Sequence, residues 1–304
     1  MTLVFGHKAP DTDSTGSPIV WAWYLTEARG TPAEAVLLGE PNAEAAFVLK
    51  RWGLETPRIV ESVAGEDCVI VDTNNPAELP ADLAQANVIQ IVDHHRLVGG
   101  IETAGPIDIV MKPLACTATV MHAEMGDDAA RMPEAVKGAM LSCILSDTLE
   151  FRSPTTTDTD RALAESLAAD LGVSIPDYAA EMFAAKSDVS RFSEAELLLM
   201  DSKEVEVGAT KLRVSVLETT SPEQVLSRKD ALIAAMPQVA LEQGVSEILF
   251  FVVDILREEA TLLLSSDLSK GIAAKSFDAE VTGDSVVLPG VMSRKKQIIP
   301  ALKA

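Results

Sequence analysis

The 304-residue sequence holds only four histidines, and two of them are adjacent. The largely apolar, β-branched run Val88-Ile89-Gln90-Ile91-Val92 reads as a buried strand and stops at Asp93-His94-His95. A third histidine, His7, closes the strand-like run Leu3-Val4-Phe5-Gly6 and is followed by Asp11 and Asp13. Two further apolar runs read as strands ending in an acid: Val69-Ile70-Val71 at Asp72, and Ile144-Leu145-Ser146 at Asp147. In an open parallel sheet the strand ends share one edge, and ligands bind in the crevice there. His7, Asp11, Asp13, Asp72, Asp93, His94, His95 and Asp147 can therefore meet at that edge. They form a set of imidazoles and carboxylates without one thiolate, a donor set suited to divalent metal ions. The acids at positions 11 and 13 would repel each other unless a cation lay between them. Just past a strand end the backbone can turn two adjacent imidazoles into one pocket, with Asp93 placed to fix a ring orientation. Asp254 ends a comparable run but has no histidine nearby, and His122 falls within an amphipathic helix, so both read as structural.

These residues need a scaffold that delivers strand ends to one place. Strands at Leu3–Phe5, Val36–Leu38, Ile59–Val60, Cys68–Asp72 and Val88–Asp93 alternate with helical patterns over 16–29, 43–52 and 81–86, which argues a parallel α/β sheet. A strand over 107–110 follows, then helices over 117–125, 133–145, 158–171 and 177–186. Polar, aperiodic Ser187-Asp188-Val189-Ser190-Arg191 reads as a linker. Beyond it the pattern restarts with a helix over 194–201, a hairpin over 205–217 turning near Gly208-Ala209, a long helix over 221–243, strands over 248–254 and 261–265, and a helix over 269–277. The expected division is a first domain of residues 1–187, a linker of 188–192 and a smaller mixed α/β domain of 193–304.

Composition limits what the site can serve. Hydrophobic residues at 47% and charged residues at 23% describe an ordinary globular chain. A net charge of −21 offers no basic face to nucleic acid or to an anionic membrane. Any anionic substrate must be drawn in by local cations, and Arg294, Lys295 and Lys296 concentrate positive charge near the C-terminus. Cys68, Cys116 and Cys143 are far apart in apolar contexts and read as reduced thiols rather than a disulfide set. No signal peptide or membrane-length apolar run is evident, so the expected setting is the cytoplasm.

His7-Lys8-Ala9-Pro10-Asp11-Thr12-Asp13, Asp93-His94-His95 and Ser146-Asp147-Thr148 resemble the signature motifs of the DHH phosphoesterase superfamily. The tail Ser293-Arg294-Lys295-Lys296-Gln297 resembles the C-terminal motif of one branch, the family II (manganese-dependent) inorganic pyrophosphatases. The resemblance covers essentially the whole chain. It implies an N-terminal DHH domain with a mainly parallel sheet flanked by helices, and a C-terminal DHHA2-type domain. It implies that His7, Asp11 and Asp72 hold one metal and Asp13, Asp72, His94 and Asp147 a second, with Asp72 bridging. His95, Lys203, Arg294 and Lys295 match the groups that hold phosphoryl oxygens. Manganese or cobalt at two tight sites, magnesium accompanying the pyrophosphate, attack by a hydroxide bridging the metals, and a homodimer are further implications. The alternative is an exopolyphosphatase or another phosphoesterase of the superfamily. Phosphodiesterases of the superfamily typically carry a Gly-Gly-Gly-His motif in the second domain, which here has no Gly-Gly pair and no histidine. A catalytically silent metal-binding protein would call for a degraded ligand set, whereas every matched position holds a competent residue. The sequence departs from the family at one point: Asp72-Thr73-Asn74 stands where Asp-His-Asn is common.

Overall fold

The computed structural model describes residues 1–208 and 210–303. The chain divides into two compact units, Met1–Lys186 and Ser187–Ala304, each with its own five-stranded sheet.

The first sheet is wholly parallel, in the order β2-β1-β3-β4-β5, from β1 (Thr2–Phe5), β2 (Ala33–Ala35), β3 (Asp67–Val71), β4 (Asn87–Asp93) and β5 (Asp108–Met111). Alternate side chains of each strand enter different cores, as the pleat requires. Val4, Val69, Val71 and Val92 pack with Trp21, Met121 and Leu141 on one face, while Leu3, Phe5, Ile70 and Ile91 pack with Val36 and Leu79 on the other. Burial on both faces explains why these strands read as continuous apolar runs. Because all strands run the same way, their C-terminal ends lie along one edge. Chain order reverses between β1 and β3, and the crevice at such a reversal is where open sheets of this kind bind ligands.

Six helices cover this sheet: α1 (Thr12–Trp23), α2 (Ala43–Arg51), α3 (Thr117–Met125), α4 (Glu134–Asp147), α5 (Asp158–Leu171) and α6 (Ile175–Lys186). Two differ from expectation where it matters. The first begins at Thr12 rather than Gly16, because Asp11 is its N-cap and accepts the Ser14 N–H at 2.9 Å. Ile144–Asp147 is the end of α4, not a strand. Nearly every residue from Val136 to Ser146 is buried, so that helix shows no polar face from which its period could be read. Elsewhere Ile59 makes only an isolated parallel bridge to Leu37, the second strand lies just before Val36, and the helix expected over 81–86 is a single 3₁₀ turn, Leu83–Gln85.

The second sheet is mixed, in the order β10-β9-β8-β7-β6, with β7 (Thr210–Thr219) parallel to β8 (Glu247–Asp254). The other strands, β6 (Ser202–Val207), β9 (Glu259–Leu263) and β10 (Ser285–Pro289), pair antiparallel. Every residue of β8 is buried, with Ile248, Phe250 and Val252 in one core and Leu249, Phe251 and Val253 in the other. The β6–β7 hairpin pairs as far as Val207 with Thr210; of the expected turn residues Gly208-Ala209, Ala209 lies outside the described residues, as does Ala304. The long helix expected over 221–243 breaks at Ser227-Arg228 into α8 (Pro222–Leu226) and α9 (Lys229–Glu242), after the short α7 (Glu194–Leu199). At the break Arg228 donates to the Val189 carbonyl at 3.0 Å and to Glu194 at 2.6 Å. Val189, in the segment read as linker, is buried in this unit's core.

Candidate metal centre

At the C-terminal edge of the first sheet the structure brings together all seven metal and imidazole positions expected of this unit. Each arrives by a definite backbone device. His7 follows β1 and is held by its own N–H, which donates to Ser14 Oγ at 2.6 Å. That approach requires Gly6, since a Cβ there would lie 1.9 Å from Ser14 Oγ. Asp11 and Asp13 flank the start of α1. Asp72 follows β3 directly with φ of 59°, a left-handed conformation uncommon for a residue with a side chain, and it is 2% exposed. His94 and His95 follow β4, and Asp147 closes α4.

The side chains form three overlapping groups whose donor atoms lie within 4.8 Å of one another: His7, Asp11 and Asp72; Asp13, His94 and Asp147; and Asp72, His94 and His95. Asp72 reaches two sides of the centre, with Oδ2 3.7 Å from His7 Nε2 and Oδ1 3.5 Å from His94 Nε2. Asp11 Oδ2 is 3.6 Å from His7 Nε2, and Asp147 Oδ2 is 3.9 Å from His94 Nε2. These separations are too long for hydrogen bonds and suit atoms that share a cation.

A network behind the candidate ligands fixes their orientation. His94 Nδ1 donates to the Leu114 carbonyl at 3.1 Å, which holds the ring with Nε2 directed at the carboxylates of Asp72 and Asp147. Thr117, the first residue of α3, donates its N–H to Asp13 Oδ2 at 2.8 Å and its hydroxyl to Asp72 Oδ1 at 3.0 Å. Ser17 donates to Asp13 Oδ1 at 2.5 Å. Asp93 Oδ1 accepts both the backbone N–H of His95 and its Nδ1, each at 3.0 Å. Asn74 donates to Asp93 at 2.5 Å and accepts the Val98 N–H at 2.7 Å, pinning the loop that carries both imidazoles. Thr73 turns to Glu78, donating to it at 2.7 Å. Thr117, Ser14 and Ser17 escaped the sequence reading because a hydroxyl at a helix start signals only a cap. Thr155 escaped it too, and lines the same cavity, of about 170 Å³, with Asp11, Asp72, His94, His95, Ala115 and Asp147.

The electrostatics call for a cation. Burial, then the charges of Asp13, Asp147 and Asp11, push the Asp72 carboxyl well above its usual range. Asp147 rises for the same causes, burial first and then Asp13 and Asp11, and its Oδ2 is buried without a hydrogen-bond partner. His94 Nε2 faces the same carboxylates, those of Asp72 and Asp147. A divalent ion would offset the clustered negative charge and give the buried Asp147 oxygen a partner, so the residues present fit a metal site. The Asp93 hydrogen bond raises the His95 pKa more than burial lowers it. For His7, burial acts downward most strongly of any one cause, but the contact and charge of Asp11 together with the charge of Glu78 raise it overall. No thiolate competes as ligand: burial pushes the Cys68 thiol up to about 12 and the Cys116 and Cys143 thiols well above their usual value.

The cationic candidates lie in the second unit. Lys203 is exposed on β6, and Arg294 and Lys295 open a π-helical turn, Arg294–Ile298. Arg294 forms an ion pair with Asp201 at 2.8 Å and donates to the Asp201 carbonyl, which brings it beside the strand bearing Lys203. Lys295 and Lys296 are exposed.

Residues 1–146 match the N-terminal domain of the DHH family, and residues 180–304 match the DHHA2 domain. A Deinococcus radiodurans protein named "Probable manganese-dependent inorganic pyrophosphatase" is 42% identical, over 100% of this chain and 98% of its own. A Lactobacillus acidophilus protein of the same name is 37% identical, over 99% of this chain and 97% of its own. A solved structure titled "Crystal structure of Methanococcus jannaschii putative family II inorganic pyrophosphatase" superposes with a TM-score of 0.63 at 34% identity, covering 99% of this chain and 98% of that one.

Proposed function

The chain belongs to the manganese-dependent (family II) inorganic pyrophosphatases, and from that premise we propose that it hydrolyses inorganic pyrophosphate to two phosphates at the sheet edge of its first unit. The observation that carries this reading is Asp72, whose two carboxylate oxygens face His7 on one side and His94 on the other. His7, Asp11 and Asp72 would hold one manganese ion, and Asp13, Asp72, His94 and Asp147 a second. Cobalt would substitute at these tight sites, and magnesium would accompany the substrate. Divalent metal supplies charge neutralisation at phosphoryl oxygens and acidifies water near neutral pH.

The chain's own side chains do the remaining work. His95, held through Nδ1 by Asp93 and raised in pKa, keeps Nε2 for a phosphoryl oxygen. Lys203, Arg294 and Lys295 would neutralise the oxyanions as the bridging P–O bond breaks, each acting as a charge-assisted donor. These cations also answer how a chain of net charge −21 holds a polyanion. Thr117, Ser17 and the Leu114 carbonyl keep the ligands fixed while charge moves.

The division into a catalytic domain of 1–187 and a substrate-binding domain of 193–304 is part of the same proposal, as is a homodimer. The dimer reading is supported by β5, an edge strand in the first sheet whose Ile109 is 54% exposed. A cytoplasmic setting is supported by three buried free cysteines, and no described helix is long and apolar enough to cross a membrane.

The deciding experiment follows phosphate release from pyrophosphate, tripolyphosphate and a dinucleotide after chelation and readdition of metal. Pyrophosphate should be the fastest substrate, with manganese or cobalt restoring turnover better than zinc. Faster cleavage of the dinucleotide would defeat the proposal, and faster cleavage of tripolyphosphate would favour an exopolyphosphatase.

A further inference from the structure

Glu44 is the second residue of α2, and its side chain is fully buried. An acid in the first turn of a helix ordinarily stays in solvent and serves that helix's own N–H groups. Glu44 does neither. Asn42 already caps α2, accepting the Ala45 N–H at 2.8 Å. Glu44 Oε2 instead accepts the Thr12 hydroxyl at 2.8 Å and the Ser146 hydroxyl at 2.7 Å, with Lys186 Nζ at 3.3 Å. Its other oxygen is buried without a partner.

The two hydroxyl donors are the neighbours of metal ligands. Thr12 stands between Asp11 and Asp13 at the start of α1, and Ser146 precedes Asp147 at the end of α4. Burying a carboxylate behind a cluster of four aspartates is unfavourable, and an apolar side chain would fill the space without that cost. A single carboxylate oxygen, however, can accept two hydroxyls and an ammonium at once.

We infer that Glu44 is a positioning residue for the metal centre: through Thr12 and Ser146 it locks the helix start bearing Asp11 and Asp13 against the helix end bearing Asp147. It thereby sets the separation of carboxylates that come from segments more than a hundred residues apart in the chain. The inference rests on the metal reading given above, and it adds to that reading a residue that touches no ligand atom itself.

Manganese affinity of the full-length chain, measured by chelator competition, is the readout, with the thermal midpoint of the metal-free protein followed alongside. Glu44→Ala should weaken manganese binding about 10–100-fold, the range that partners behind a ligand typically control. Glu44→Gln keeps a carbonyl oxygen for both hydroxyls and should stay within about threefold of the parent. Thr12→Val should weaken binding by itself but add nothing to Glu44→Ala, because both changes break the same contact. A lowered midpoint with parental manganese affinity in Glu44→Ala would make Glu44 a packing residue and overturn the inference. So would losses from Thr12→Val and Glu44→Ala that add in full. A parent chain that takes up no manganese overturns the metal reading, and with it this one; parental uptake with unaffected variants overturns this one alone.

Discussion

Asp72 concentrates the residue-scale chemistry of this protein. Its left-handed backbone lets a strand-end residue turn a buried carboxylate between two imidazoles, and the Thr117 hydroxyl holds one of its oxygens in place. Among the described residues, Asp72 alone belongs both to the group that holds His7 and to a group that holds His94. Asp72→Ala should therefore be the most damaging single change among the ligands. Loss of bound manganese and of turnover should exceed the ~10–100-fold typical of changes behind a ligand, with metal analysis and phosphate release as the checks. Beside it, Thr73 spends its hydroxyl on Glu78 rather than on any ligand. A histidine there would lose that contact and place a ring next to Asp72. Thr73→His should shift the ratio of manganese to cobalt affinity while leaving the enzyme active. Identical affinities for both ions in variant and parent would show the departure to be neutral.

At the scale of elements, the turn from β1 into α1 carries three candidate ligands in seven residues and has no slack. Gly6 is required there, because any Cβ would strike Ser14, whose hydroxyl holds the His7 backbone. Gly6→Ala should destabilise the fold by about 1–3 kcal/mol, the usual cost of overpacking. Weakened manganese binding should accompany the lower thermal midpoint. In the second unit, the π turn at Arg294 presents cations rather than ligands. Arg294→Ala and Lys295→Ala should each raise the activation barrier by about 2–4 kcal/mol while both variants retain their manganese. Metal loss in either variant would show that the tail is structural instead.

On the scale of the whole molecule, the exposed β5 edge is the feature a lone chain leaves unexplained. Unpaired strand edges template further pairing, and this one carries Ile109 at 54% exposure with no charged residue beyond Asp108 in the strand. Pairing of two such edges across a two-fold axis would cover both. Ile109→Lys should then convert a dimer to a monomer by light scattering at micromolar concentration, with the metal centre intact. An unchanged mass would move the interface elsewhere.

Composition and local pattern were enough to single out the candidate donors that the fold gathers, because imidazole and carboxylate at the ends of apolar runs carry their chemistry in their type. Parallel strands were equally legible, since strands buried on both faces are written as unbroken Val and Ile runs. What needed the tertiary structure was everything that depends on contacts between distant segments. The end of α4 looked like a strand because a helix buried all round displays no period. The start of α1 was hidden because Asp11 acts at once as cap and as ligand candidate. Thr117, Ser146 and Glu44 carry no signal in sequence at all: a hydroxyl or a first-turn acid is common, and only folding determines which carboxylate or hydroxyl it meets. The candidate donors are chosen locally, while their spacing is set by hydrogen bonds that span 32 to 104 residues of chain, and those exist only once the sheet has brought its strand ends together.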